Sequence, residues 1–111
     1  MVSGSEFDQK CQMVKYVRAL IGKWKPEIIF FMGTGPVRLN DLEKKIPEAD
    51  PRVLKRQLRS LETAGLAKKN RYAEVPPRVE YSLTEEGRSL TRMHETITKT
   101  MAEHEENGKY G

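Results

Sequence analysis

The sequence predicts one mainly α-helical domain that carries a single small β-hairpin. Residues 50–65 have the pattern of one helix with both ends marked, residues 78–83 alternate apolar and polar side chains as a strand does, and residues from 84 onward form a long last helix. The 111 residues suffice for one domain that buries roughly two-thirds of its unfolded surface. We expect a flexible arm over residues 1–10, the domain over residues 11–106 and a frayed tail over residues 107–111.

Composition narrows the class of protein. Apolar residues make up 37% of the chain and charged residues 32%, and no apolar run approaches the ~20 residues of a membrane span. No secretory signal pattern opens the chain, and a single cysteine excludes an internal disulfide framework. We therefore expect a cytoplasmic protein without a membrane partner.

Positive charge is concentrated in the middle of the chain. The net charge is +4, but residues 38–78 alone hold 11 Lys/Arg against 6 Asp/Glu, a balance of +5. Such localisation favours a polyanionic partner.

The first half of the chain predicts three helices. Val14, Val17 and Ile21 form the apolar stripe of a helix over residues 11–21, and residues 28–32, which follow Pro26, predict a buried helix. Asn40 is expected to open a third helix with Glu43 as its capping-box partner. Because Pro47 ends that helix just before the next begins, the pair predicts a helix-turn-helix.

The second helix of this pair, residues 51–64, has the pattern of a DNA-recognition helix. Asp50 is a suitable amino-terminal cap, Pro51 suits the first helical position, and Gly65 can adopt the left-handed conformation that ends the helix. Its three leucines share one face, whereas its cations lie on other faces. A helix with this pattern fits a nucleic-acid groove, although a solvated charged face is the simpler alternative.

The residues that follow predict a hairpin and a last helix. Residues 66–83 form two strand-like segments around a tip with two prolines, so the domain is a winged helix-turn-helix. Thr84 is expected to cap the last helix, whose apolar stripe would pack on a second subunit or on its own domain. The predicted dimer interface consists of Val14, Val17, Ile21, Leu90, Met93, Ile97 and Met101.

Several motifs together identify a resemblance to a known family. They are Cys11 and residues 21–24 (IGKW), 35–36 (GP), 51–54 (PRVL), 61–66 (LETAGL), 76–81 (PPRVEY) and 83–87 (LTEEG). In this order and spacing they resemble the HxlR-type winged helix-turn-helix transcriptional regulators, relatives of the multiple-antibiotic-resistance regulators. The chain departs from that pattern at residues 48–50 (EAD), where the family often has Gly-Ile-Ser.

The resemblance implies a homodimer, joined through its first and last helices, that binds operator DNA. Two-fold symmetry then predicts an inverted-repeat operator. Some members use a cysteine at the position of Cys11 to sense oxidants, quinones or aldehydes, whereas the alternative role of Cys11 is core packing. The sequence does not identify an effector.

Nine residues are the predicted contacts to double-stranded DNA. Arg52, Lys55 and Arg56 are expected near base edges, and Arg59 near a phosphate. The hairpin cations are expected at the backbone or the minor groove, although Arg78 could instead brace the hairpin through Glu74 or Glu80. The complete set is Arg52, Lys55, Arg56, Arg59, Ser60, Lys68, Lys69, Arg71 and Arg78.

The sequence contains no pattern typical of an enzyme or of a cofactor site. One cysteine and two histidines ten residues apart do not form a zinc site, and residues 33–35 lack the lysine and spacing of a phosphate-binding loop. We predict no metal and no cofactor. The alternative function is that of a winged-helix protein–protein interaction module.

Overall fold

A computed structural model describes the backbone of residues 4–107 and the side chains of residues 12–105. Within these residues the prediction of a mainly α-helical domain with one hairpin is confirmed. The elements in chain order are α1 (Gly4–Leu20), α2 (Lys25–Met32), α3 (Leu39–Lys45), α4 (Pro51–Thr63), β1 (Ala67–Tyr72), β2 (Arg78–Leu83) and α5 (Glu85–Asn107).

Helix α1 begins seven residues earlier than the sequence predicted. It starts at Gly4 rather than at Cys11, so the helix includes residues 4–10 of the expected arm. No proline interrupts this stretch of the sequence. The predicted tail falls on the last residue of α5 and on residues 108–111, which lie outside the described part of the chain.

Helix α2 is only partly the buried helix that its apolar run suggested. Ile28, Ile29 and Met32 are buried, but Phe30 is 61% exposed. Successive helical residues turn by about 100°, so consecutive side chains cannot all face one core. The expectation of burial is therefore wrong at Phe30.

Helix α3 has a different cap from the one predicted. It begins at Leu39, and the cap residue is Arg38, whose backbone N–H donates to Asp41 Oδ2 at 3.1 Å. Asn40, the predicted cap, lies inside the helix. Asp41 is the third residue after Arg38, whose backbone is extended. At this spacing the Asp41 carboxylate can accept a hydrogen bond from the backbone N–H of the cap residue.

The hairpin is an antiparallel pair with one further contact. Residues of β1 and β2 pair from Ala67 opposite Leu83 to Tyr72 opposite Arg78. Val37, in the segment between α2 and α3, forms a bridge to Tyr81, with N–H to carbonyl distances of 2.8 and 2.7 Å. This bridge joins the hairpin to the helical core.

One hydrophobic core holds α4, the hairpin and α5 together. The three leucines of α4 are buried, as predicted, and they share this core with residues from every other element. The largest fully buried side chains are Ile28, Leu42, Ile46, Leu54, Leu58, Leu61, Leu66 and Leu90.

Candidate nucleic-acid interface

Local interactions define both ends of α4. Asp50 Oδ1 accepts the backbone N–H of Arg52 at 2.8 Å, as the predicted cap requires. At the other end Gly65 has φ +78°, and the Leu66 N–H donates to the Leu61 carbonyl at 2.9 Å. Glycine adopts this left-handed conformation without steric cost, so it ends the helix sharply.

The face of α4 opposite its buried leucines is a row of exposed cations. The exposed cations are Arg52, Lys55, Arg56 and Arg59, and Ser60 beside them is exposed as well. Arg52 approaches Asp50, with Nε 3.8 Å from Oδ1. Within the described part of the chain, Lys55, Arg56 and Arg59 have neither an ion-pair partner nor a hydrogen-bond partner.

Asp50, where the chain departs from the family pattern, makes its contacts with α4 itself. Asp50 would disfavour a nearby phosphate as a free carboxylate, but it accepts a hydrogen bond as the cap of α4 and approaches Arg52. Both contacts offset its negative charge. The exposed face of α4 opposite its buried leucines therefore keeps a net positive charge.

The hairpin cations lie on two faces. Opposed residues of an antiparallel pair share a face, and successive residues alternate. Lys69 and Arg71 therefore share the face of the buried Tyr81, and the Lys69 Nζ atom lies 5.9 Å from the Tyr81 ring centroid. Lys68 and Arg78 lie on the opposite face, so the hairpin does not gather its cations into one row.

Arg78 is engaged inside the hairpin. Its Nη2 atom lies 3.2 Å from Glu74 Oε1, and its guanidinium stacks 4.3 Å from the Tyr72 ring centroid. This geometry corresponds to the bracing alternative, with Glu74 rather than Glu80 as the partner. These contacts join the carboxyl-terminal strand of the hairpin to its tip and to β1.

The sequence analysis did not single out Val75 at the hairpin tip. Its side chain is fully exposed, at 101% of the reference area. The signal was available, since Val75 is the apolar member of a tip that contains two prolines. An exposed apolar side chain at a hairpin tip is a candidate contact for the minor groove.

Comparison with known proteins identifies the family. The model of the HxlR-like helix-turn-helix family matches residues 19–109, which include the helix-turn-helix, the hairpin and α5. The chain belongs to this family. The resemblance that its motifs carried is thereby confirmed.

Relatives and solved structures agree with this assignment. A helix-turn-helix transcriptional regulator of Methanothermobacter thermautotrophicus is 37% identical over 87% of this chain and 76% of its own. The redox regulator HypR in its reduced form is 35% identical, covers 80% of this chain and 88% of its own, and has a TM-score of 0.72. A protein described as a MarR-family regulator from Enterococcus faecalis V583 has a TM-score of 0.77 at 29% identity, over 88% and 92% of the two chains.

The HxlR-like assignment settles the broad function. The chain is a transcriptional regulator with a winged helix-turn-helix, a fold that binds DNA, and it is not an enzyme. Within the described residues, no helix is both long enough and apolar enough to cross a membrane.

This HxlR-like chain also exposes an apolar stripe on α5. Met93, Ile97 and Met101 recur at every fourth residue and are 36%, 49% and 58% exposed. Residues that recur in this way lie on one helix face. A single subunit thus leaves uncovered much of the face that was predicted to form the dimer interface.

The predicted dimer interface needs one correction and one refinement. Leu90 is 0% exposed, because it points into the core of its own subunit, so its assignment to the interface is wrong. On α1, Val14, Val17 and Ile21 are exposed. However, Leu20 rather than Ile21 borders the groove that Met93 and Ile97 line.

Cys11 is the remaining predicted site residue. It lies in the backbone range of α1, but its side chain falls outside the described residues. Sensing and core packing therefore both stand as predictions. Within the part of the chain that the structure describes, no three His, Cys, Asp or Glu side chains form a group that could hold a metal ion.

Proposed function

We propose that this chain is a homodimeric transcriptional regulator that binds double-stranded DNA with sequence specificity. Helix α4 of each subunit enters a major groove, and the hairpin lies along the backbone or in the minor groove. The observation that carries this proposal is the row of exposed cations on α4, of which Lys55, Arg56 and Arg59 lack a partner within the described residues.

The packing of α4 suits a groove reader. Leu54, Leu58 and Leu61 fix one side of the helix in the core, so the opposite side is held at a constant orientation. The major groove is about 12 Å wide and admits one helix. Arginine presents a planar fork that matches guanine O6 and N7 or a phosphate.

The cations near the start of α4 and the cation further along it are assigned to different parts of the DNA. Residues near the start of a recognition helix usually reach base edges, so Arg52, Lys55 and Arg56 are the proposed base readers. Arg59 lies further along α4 and is assigned to a phosphate. Lys68 and Arg71 are then assigned to the backbone beside the groove.

The exposed stripe of α5 supports dimerisation. Ile97 is half exposed on a helix that extends well beyond the core, and burying an apolar stripe against a second copy is favourable. A two-fold dimer places its recognition helices about 34–36 Å apart, one duplex turn. The expected operator is therefore an inverted repeat.

The test is a salt series of DNA binding with two arginine variants. Duplexes selected by the protein from a random pool are titrated and followed by fluorescence anisotropy. Arg56→Ala should cost about 1–3 kcal/mol on selected sites and relax the preference at one base position. Arg59→Ala should weaken binding to all sequences alike and reduce the salt slope by about one unit for each subunit in contact with DNA. Lys99→Gln, which removes a charge from α5, is the matched control and should leave the slope unchanged.

Two outcomes would contradict the proposal. If both arginine variants bind duplex DNA as the parent does, α4 is not the DNA-binding surface. If the parent binds duplex DNA without a steep dependence on salt, phosphate contacts do not drive association. Capture of an acidic protein under those conditions would favour the protein–protein interaction alternative.

A further inference from the structure

A second cluster of cations lies before the helix-turn-helix, in a stretch that the sequence analysis treated as structural. Residues 12–26 contain four Lys/Arg and no Asp or Glu. One of the four, Lys15, is neutralised by Glu86, with Nζ 2.5 Å from Oε1. The other three, Arg18, Lys23 and Lys25, have no acidic partner within the described residues.

These three cations gather at the corner between α1 and α2, beside α4. Arg18, Lys23, Trp24 and Lys25 line a groove of about 370 Å³ together with Gln57 of α4. Arg18 and Lys25 also line an adjacent groove of about 250 Å³ with Ser60 of α4. No acidic side chain lines either groove.

The corner between α1 and α2 lies next to the exposed cationic face of α4. Ser60 lies about one helical turn after Arg56 on nearly the same side of α4, and the partly buried Gln57 lies on the adjoining side. When the Arg56 face of α4 is in a major groove, the corner lies beside that groove. The surface beside the groove is the sugar–phosphate backbone.

The start of α2 adds hydrogen-bond donors at the same place. Its cap residue, Trp24, makes no side-chain cap bond, and the first helical bond runs from the Ile28 N–H to the Trp24 carbonyl at 3.0 Å. The preceding amides of Lys25 and Glu27 therefore lack a helical acceptor. Free amides at a helix start, next to cations, suit an anionic oxygen.

We propose that Arg18, Lys23 and Lys25, at the corner between α1 and α2, form a second DNA contact that binds the phosphates beside the major groove. This inference rests on the proposed function, since it places the corner relative to DNA-bound α4. The contact is independent of base sequence and adds to affinity, whereas α4 supplies specificity.

The test uses a duplex of mixed sequence of about three turns, roughly 30 base pairs, because phosphate contacts do not require the operator. The double variant Arg18→Gln/Lys23→Gln should reduce the slope of log K against log[salt] by about two units for each subunit in contact with DNA, about four for the dimer. The control Lys99→Gln removes a charge from α5 outside the groove that Met93 and Ile97 line, and it should keep the slope of the parent. Arg18→Lys/Lys23→Arg keeps the charge and should also keep the slope, and circular dichroism of the Gln/Gln variant checks that it is folded.

Trp24 gives an independent measurement at the corner itself. It is the one tryptophan of the chain and is half-buried, and Lys23 Nζ lies 5.0 Å from its ring centroid. Bound DNA should reduce quenching of its fluorescence by acrylamide in the parent. The corner double variant should lose this protection at a DNA concentration that still saturates it.

The outcomes separate this inference from the proposed function. A corner variant with the salt slope of the α5 control, and with Trp24 still shielded, would overturn the second contact. If Arg59→Ala still lowers the slope in the same assay, the proposed role of α4 survives that result. If neither the parent nor any variant binds duplex DNA, the proposed function fails as well.

Discussion

The hydroxyl of Thr84 donates a hydrogen bond to the carbonyl of Gly65 at 2.7 Å and accepts one from the Gly87 N–H at 3.1 Å. Gly65 ends the recognition helix, and Thr84 caps α5, as its sequence context predicted. One side chain therefore joins the end of α4 to the start of the proposed dimerisation helix. The Thr84 N–H also donates to the Leu66 carbonyl at 3.0 Å, so the junction is held at two points.

The first prediction is that Thr84→Val destabilises the domain by about 1–2 kcal/mol, because it removes a helix cap and leaves the Gly65 carbonyl without this donor. Urea unfolding followed by circular dichroism measures the change. Thr100→Val removes a hydroxyl that bonds only within exposed α5, to the Thr96 carbonyl, and should change stability by less than about 0.5 kcal/mol. Equal midpoints for the two variants would contradict a structural role for the junction.

The second prediction concerns Gly87, where α5 passes close to the chain that follows α4. A Cβ atom there would lie 2.0 Å from the Leu66 carbonyl oxygen, which belongs to the backbone and has no flexible side chain to move aside. Gly87→Ala should therefore cost about 1–3 kcal/mol, despite the better helix propensity of alanine. The thermal midpoint of Gly87→Ala should fall well below that of Glu95→Ala, a change on the exposed face of α5. A midpoint equal to that of the parent would show that the backbone accommodates a methyl group here.

The third prediction separates the two roles of Asp50. Asp50→Asn keeps a good cap but removes the charge, so stability should change little while duplex affinity at low salt rises by about 0.2–1 kcal/mol. Asp50→Ala loses the cap and should cost about 1 kcal/mol of folding stability. Chemical unfolding and anisotropy titration measure the two quantities. Weaker DNA binding by Asp50→Asn than by the parent would indicate that the carboxylate has a direct role at the interface.

The fourth prediction distinguishes the exposed and buried sides of α5. Ile97→Glu places a charge on the proposed dimer face and should yield folded monomers, because a charge buried without a partner is costly. Leu90→Ala, by contrast, should lower the free energy of unfolding by about 2–5 kcal/mol, since Leu90 is fully buried in its own subunit. Light scattering at micromolar concentration and urea unfolding measure these effects. A parent protein that scatters as a monomer would show that this stripe does not form a dimer.

Helix α4 and the hairpin could be predicted nearly to the residue because their signals are local. Asp50, Pro51 and Gly65 act on backbone groups within a few positions of themselves, and the alternation of β2 follows from the pleat of a strand. For the same reason the cationic face of α4 follows from helical spacing alone. The start of α1 lacked such a signal, and its position was predicted wrongly.

Packing between distant segments fixed the features that local signals left open. Leu90 belongs to the core and Ile97 to the surface although both fit the same helical stripe, because only the first turns of α5 pack against the domain. Likewise, the groove that Arg18 and Gln57 both line depends on how α1 and α4 come together. The amino-acid sequence alone thus specified the helices, the hairpin and the charged face through short-range backbone chemistry. Three-dimensional packing determined which parts of those faces remain open to a partner.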